Sequence, residues 1–343
     1  VSVFARLGIA TAWTVSFIVY RTPVRVGYFI ADLIGFLLFA RSRRYRRAVV
    51  ENIRHVHAGR VDERRLRRQA VTVFRMSARN FWDLACLPRM SPDEVDRLMH
   101  AAKGDWTIFD QVMAKGKGAI AVTGHIGPFD FVGQHIAASP WKPLLLTAST
   151  VSSEFVFAAV TWARASAGGR IEVVSPATVR RCLKTLRGGG MIGIVTDRDV
   201  LGTGWPVRLF GKETTLPAGA VRLARDTGAP LIPMFGLRQD TTSRARRFVY
   251  YVEQPIYVPA TADRNDDVAR GLEQLVAVLE RYIAMAPDQW VTFERIWPEP
   301  GAAPRRSVAD GFRRVFRPGR DGLRGSGAPA AEPLAPAAAP ETR

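Results

Sequence analysis

Lys117-Gly-Ala-Ile-Ala-Val-Thr-Gly-His-Ile-Gly-Pro-Phe-Asp130 is the stretch that decides the fold. Ala119–Thr123 is a short apolar run and reads as a strand. It passes into Gly124-His125, and Gly127-Pro128 then opens a helix, because proline is favoured in the first helical turn. Strand, tight loop and helix in succession form the unit of an α/β sheet, and ligands bind at the C-terminal ends of such strands. His125 stands on that loop. Asp130 falls in the first turn of the helix, where the helix dipole favours a carboxylate. Folding back over one turn, Asp130 can accept a hydrogen bond from one imidazole nitrogen, leaving the other to face the cleft as a base. His and Asp at this spacing are most often a surface histidine and a helix-capping acid. The strand, the Gly-His loop and the proline start are what favour chemistry. No Ser or Cys nucleophile accompanies the pair. The reaction it implies is direct: His125 takes the proton of an acceptor hydroxyl, which attacks an activated carbonyl.

Downstream, β-rich runs at 143–148, 170–174, 191–196, 206–210, 231–235 and 248–258 alternate with helical stretches near 128–138, 152–167, 176–187, 217–228 and 265–286. Gly and Pro punctuate the joins, as at Gly188-Gly-Gly190. Alternation of this kind predicts an α/β domain, a layered mixed sheet flanked by helices. No internal repeat stands out. Residues 322–343 are dominated by Ala, Pro and Gly, and the tail from 299 to 343 is predicted to be disordered.

Upstream, the chain changes character. The protein carries 49 Lys+Arg against 31 Asp+Glu, a formal charge of +18, and the first hundred residues hold more than half of that excess. A basic segment of this strength meets either nucleic acid or anionic lipid. Hydrophobicity separates the two. Residues 3–20 are mostly apolar, interrupted by Arg6, and residues 26–40 are apolar apart from Asp32. Five arginines then crowd into Arg41-Ser-Arg-Arg-Tyr-Arg-Arg47. Two apolar stretches followed by a polybasic run suit a membrane surface. Both are marginal against the roughly 20 residues of a spanning helix, so an interfacial anchor or shallow helical hairpin is expected over residues 1–47, with a true span as the alternative. Neither is read as a cleaved signal, and the arginines favour the cytoplasmic face. Helical patterning continues through 43–57 and 62–85, the latter carrying arginines beside Phe74, Phe81 and Trp82. Residues 48–298 then form a helical lead-in and the α/β domain.

Taken together these segments resemble the His-x4-Asp acyltransferases, and within them the bacterial lipid A late acyltransferase and phosphatidylinositol mannoside acyltransferase superfamily. The resemblance runs over about residues 5–298. It rests on the basic apolar N-terminus before an Arg-rich helix with Glu51-Asn52-Ile53, on Gly118-Ala-Ile-Ala-Val-Thr-Gly-His125 and on Ile194-Val-Thr-Asp-Arg-Asp199. Val207-Arg-Leu-Phe-Gly211 with Pro217-Ala-Gly219, and Ala229-Pro-Leu-Ile-Pro233, complete it. It implies transfer of an acyl group from acyl-CoA or acyl carrier protein to a hydroxyl of a membrane glycolipid or phospholipid, beside the cytoplasmic leaflet of the inner membrane. It implies His125 as the base and Asp130 as its partner. Arg164 resembles a family arginine suited to a donor phosphate or pantetheine. Asp197, Arg198 and Asp199 end another strand and are expected in the same cleft as substrate-binding residues. The carboxylate that the mannoside acyltransferases carry before their Phe-Phe-Gly segment falls near Pro206 here, and Leu209-Phe210 stands for the aromatic pair. The acceptor is therefore open, and Asp199 is the candidate for any further acid assisting His125.

A glycerophospholipid acyltransferase shares His-x4-Asp, but its Phe-Pro-Glu-Gly-Thr-Arg-like block is poorly imitated by Phe210-Gly-Lys-Glu-Thr-Thr215. A nucleic-acid-binding protein lacks its motifs here, so no nucleic-acid partner is expected. A noncatalytic membrane scaffold would make the site motifs accidental. No cofactor and no metal centre are expected: no His/Asp/Glu group has ligand spacing, and Cys86 and Cys182, read as buried reduced thiols, cannot form a four-ligand site. His55, His57, His100 and His135 are read as packed or surface residues. Ser139, Ser149, Ser152 and Ser153 lack a nucleophile-elbow setting.

Overall fold

In a computed structural model the chain is described over residues 2–147, 153–166, 168–239 and 246–297. The tail and Ser149 and Ser152 lie outside the described residues. Nine strands run β1 (Met99–Lys103), β2 (Ala119–Thr123), β3 (Leu144–Thr147), β4 (Arg170–Val173), β5 (Met191–Val195), β6 (Trp205–Leu209), β7 (Lys212–Leu216), β8 (Leu231–Arg238) and β9 (Phe248–Val252) among the described residues. Seven of them form one sheet in the order β1-β9-β8-β2-β5-β3-β4, and β6 and β7 form a separate hairpin. All pairs in the large sheet are parallel except β8 with β9. This is the expected mixed α/β sheet. The run at 206–210 is the one expected strand that stands outside it.

Helices cover both faces. α1 (Val3–Arg21), α2 (Val24–Arg41), α3 (Arg43–Val56) and α4 (Glu63–Cys86) lead in. α5 (Pro92–Leu98), α6 (Thr107–Met113), α7 (Phe129–Ala137), α8 (Glu154–Arg164), α9 (Pro176–Arg187), α10 (Gly219–Thr227) and α11 (Arg264–Met285) alternate with the strands. The centre of the sheet is buried on both sides, which is why β2 reads as a continuous apolar run instead of an alternating one. Ile120 and Val122 point into one core, with Leu186 of α9, Val221 of α10 and Leu275 of α11. Ala119 and Ala121 point into the other, with Phe109 of α6 and Phe131 of α7.

The N-terminal helices pack against the domain through their smallest residues. α2 buries Gly27, Tyr28, Ala31 and Gly35 on one stripe and lies along α4. A Cβ at Gly35 would sit 2.7 Å from the carbonyl oxygen of Phe74, so only glycine permits this approach. α1 lies along α8, its Gly8 against the backbone of Phe155. The large apolar side chains turn outward: Phe29, Leu33 and Leu37 of α2 and Phe4 and Ile18 of α1 are all exposed. α1 is long and apolar enough to cross a membrane. Asp32, the charge inside the second apolar run, faces inward and pairs with Arg75 and Arg79 of α4.

Below α2 lies a buried polar knot. The Tyr28 hydroxyl donates to Asp83 at 3.0 Å and accepts from Arg247 at 2.8 Å and from Arg238. Asp83 in turn pairs with Arg238 at 2.7 Å. The knot ties α2 and α4 to β8, in the middle of the sheet.

Candidate active site

β2 and β5 are neighbouring parallel strands, paired in register from Ala119 with Met191 to Thr123 with Val195. The second residue past the end of each strand is therefore brought opposite the other: His125 beyond β2 and Asp197 beyond β5. Asp197 Oδ1 accepts from His125 Nδ1 at 2.7 Å, and its Oδ2 accepts from the His125 backbone N–H at 3.0 Å and from Trp290 Nε1 at 2.8 Å. Gly124 makes room, since a Cβ there would stand 3.3 Å from the Cβ of Asp197.

The carboxylate on the imidazole is thus Asp197, and the bond expected from Asp130 is not formed. Asp130 sits in the first turn of α7 as expected, but it accepts from Arg164 Nε of α8 at 2.7 Å. The reason is geometric. The register of β2 with β5 delivers Asp197 to the ring nitrogen, while α8 delivers a cation to Asp130. Arg164 is also stacked over the Phe129 ring, whose edge faces His125. Asp199, the candidate for an additional acid, lines the same cavity as His125, but its carboxylate is engaged. It accepts from Thr203 N, Gly204 N and Thr215 Oγ1, at 3.1, 2.9 and 2.9 Å, and fixes the turn before β6.

Arg198 follows Asp197 and places Nη2 2.6 Å from His125 Nε2. A guanidinium only donates, so this contact assigns the tautomer: Nδ1 carries the proton toward Asp197, and Nε2 carries the lone pair. The electrostatics agree. Burial, then Arg198, lower the His125 pKa against the pull of Asp197 and so favour the neutral ring. Burial alone would raise Asp197. Its contacts with His125, Arg198 and Trp290 outweigh that and keep it far below the usual carboxylate range.

The loop that carries His125 is clamped. Gly127 takes φ +54°, donates to Gln289 O at 2.9 Å and accepts from Asn80 Nδ2 at 2.7 Å. The His125 carbonyl accepts from Val291 N at 2.8 Å. The segment after α11 that supplies these contacts is itself anchored by Asn52, which bonds Glu294 O at 2.8 Å and Ile296 N at 3.2 Å. Asn52 belongs to the Glu51-Asn52-Ile53 motif, which thereby supports the site from a distance. Trp290, Asn80 and Gln289 were not singled out in the sequence, and no local motif marks them.

His125 opens on a cavity of about 540 Å³. One part is apolar, formed by Leu145 of β3, Ile171 of β4, Val179 and Cys182 of α9 and Ile194 of β5. Asp130, Arg164, Arg198 and Arg222 also line it. α4 and α8, the helices on which α1 and α2 lie, form further wall through Phe81 and Val160. Burial pushes the Cys182 thiol up to about 11 and the Cys86 thiol up to about 12. Both are free and buried, and their raised pKa makes them poor nucleophiles. His135 pairs with Asp96 at 2.9 Å and His55 stacks on Trp297, away from the cavity, and His100 lies in β1. Among the described residues no cluster of His, Cys, Asp or Glu has the makings of a metal site.

The α/β sheet with His125 at the end of β2 is what the resemblance implied, although the acid on the ring is Asp197 and not Asp130. Residues 3–299 match the family described as bacterial lipid A biosynthesis acyltransferase, and the chain belongs to that family. It is also similar to the phosphatidylinositol mannoside acyltransferase of Mycobacterium tuberculosis. The identity is 26% over 215 residues with the protein of strain CDC 1551 / Oshkosh, and 25% over 216 residues with that of strain ATCC 25618 / H37Rv. Each match spans 62% of this chain and 64% of the relative.

Proposed function

We propose that the protein is a membrane-associated O-acyltransferase. It moves a fatty acyl group from a thioester donor, acyl-CoA or acyl carrier protein, to a hydroxyl of a glycolipid resembling lipid A or a phosphatidylinositol mannoside. The observation that carries the reading is a carboxylate-held imidazole lining a largely apolar cavity. His125 Nε2 takes the proton of the acceptor hydroxyl as its oxygen attacks the thioester carbonyl. Asp197 holds the ring and stabilises the imidazolium as it forms. The same proton is then available to the leaving thiolate. The apolar part of the cavity suits an acyl chain, and Arg164, braced by Asp130, suits an anionic group of a substrate. Among the described residues no Ser or Cys stands within the hydrogen-bonded group, which supports transfer in a complex of both substrates without an acyl-enzyme.

The exposed apolar faces of α1 and α2, followed by the arginines of 41–47, suit the headgroup boundary of an anionic leaflet, and the inner-membrane cytoplasmic face is the natural place for both donors. The helices behind that boundary are the ones that wall the cavity, so an acceptor lipid would reach His125 without leaving the membrane surface. The test is the turnover of purified His125→Ala protein with donor and acceptor supplied. A positioned base contributes about 10²–10⁴-fold, and a loss of that size with an unchanged melting temperature is expected. Near-normal turnover would remove His125 from the mechanism.

A further inference from the structure

The contact between Arg198 and His125 poses a problem for a base. Nε2 is the nitrogen that must accept the substrate proton, and its lone pair is taken by the Arg198 guanidinium at 2.6 Å. A hydroxyl cannot donate to a nitrogen already capped.

Arg198 itself is under-satisfied in this position. Its Nη1 lies 3.4 Å from Glu294, and its Nε is buried without an acceptor. A guanidinium has five donors in a rigid fork. Here one is spent on a neutral ring nitrogen, and one is left with nothing. The side chain lines the same cavity as His125, and Arg164 and Arg222 line that cavity too. Hydrogen bonds to an ionised acceptor are roughly twice as strong as neutral ones, and the guanidinium fork matches phosphate in particular. An anion entering this cavity therefore competes for Arg198 on better terms than the imidazole does.

We propose that Arg198 is a latch on the catalytic base: it caps His125 Nε2 in the empty site and is drawn off by a phosphate group of a substrate, which frees the lone pair for the acceptor hydroxyl. The inference rests on the reading of His125 as the base. It makes Arg198 a positioning residue with two stations, the imidazole and the substrate anion. In the empty enzyme the base is closed to water. Once the phosphate is bound, the cation moves from the imidazole to the ligand, and the ring becomes a stronger base at the moment it is needed. Phosphate is supplied by two sources, the thioester donor and the acceptor headgroup. The geometry requires only that one of them reach Arg198.

The test reads the imidazole directly. The protein has five histidines, so ring nitrogen-15 labelling with His125→Ala for assignment gives a tractable spectrum in detergent. In the empty wild-type protein the His125 Nε2 signal should be that of a hydrogen-bonded acceptor. In Arg198→Met, which keeps the length and removes every donor, it should shift to that of a free acceptor. Arg198→Lys, which restores a donor, should return it toward the wild-type position. Two additions to the wild type then separate the sources: coenzyme A alone, and phosphatidylinositol-containing phosphatidylcholine vesicles alone. A shift toward the Arg198→Met position with coenzyme A assigns the releasing phosphate to the donor, and a shift with the vesicles assigns it to the acceptor side. An Arg198→Met spectrum identical to wild type would overturn the cap, and no shift with either addition would overturn the release. The spectra need no turnover, so they fail or succeed separately from the His125→Ala assay that tests the base.

Discussion

At the scale of single residues, the account turns on which acid holds the base. The sequence pointed to Asp130 by its spacing; Asp197 stood out only as a substrate-binding residue at a strand end. The pairing of Asp197 with His125 was not visible, because it depends on β5 lying next to β2, and strand order is a property of the whole sheet. The roles now separate. Asp197→Asn leaves the ring free to adopt the wrong tautomer and removes the charge that stabilises the imidazolium, so transfer should fall by about 10²–10⁴-fold. Asp130→Asn weakens the brace on Arg164 and should cost less, chiefly in substrate affinity. Parallel kcat and KM measurements on the two variants check this, and an Asp130→Asn defect larger than that of Asp197→Asn would reverse the assignment. The pH dependence has a definite sign. His125 works only when neutral, and burial and Arg198 lower its pKa. Among the described residues, Arg198, Asp197 and Arg164 act on it directly, with Glu294 beside Arg198 and Asp130 paired to Arg164. The acid limb of kcat/KM should therefore lie below the ordinary histidine value of about 6.5. Arg198→Met removes a cation and should move that limb to higher pH, which a pH–rate profile of the two proteins reads.

At the scale of elements, the long and strongly patterned segments were legible. β2 is observed with the bounds read from its sequence, and α3, α4, α9 and α11 lie within a residue or two of theirs. The elements not foreseen are short. β1 is an edge strand of Met, His, Ala and Lys with little β preference, and β7 is a charged hairpin arm half open to solvent. α5 left a signal that could have been used: Ser91 and Glu94 form a capping box, the Ser-x-x-Glu pattern of a helix start. The apolar runs of α1 and α2 were plain, but the way they are divided was not. Gly8, Gly27, Ala31 and Gly35 face the protein while Phe4, Phe29, Leu33 and Leu37 face out, the reverse of a helix folded into a soluble core. That outward face carries a prediction. Phe29, Leu33 and Leu37 share one stripe and touch little of the domain, so replacing all three with Ser spares the fold. Losing about 1 kcal/mol or more of apolar burial at each should weaken binding to anionic vesicles about a hundredfold. Vesicle sedimentation measures it, and undiminished binding would mean that this face does not enter the membrane.

At the scale of the whole molecule, the parts converge on one cavity. The sheet register sets Asp197 on His125, the segment after α11 clamps the loop, and Asn52 anchors that segment. The buried knot of Tyr28, Asp83, Arg238 and Arg247 fixes the outward-facing helices to the sheet, so the surface suited to lipid and the base stand in a fixed relation. Membership of the lipid A biosynthesis acyltransferase family fits each of these features, while the acceptor and the acyl chain are written in the cavity shape and in no motif. The measurement that bears most directly on the account is lipid mass spectrometry of cells that lack the gene, complemented with the wild-type protein or with His125→Ala. The account predicts that one glycolipid class loses species heavier by a single acyl chain, that the wild-type protein restores them, and that His125→Ala does not. An unchanged glycolipid profile in the deletion, or full restoration by His125→Ala, would contradict it.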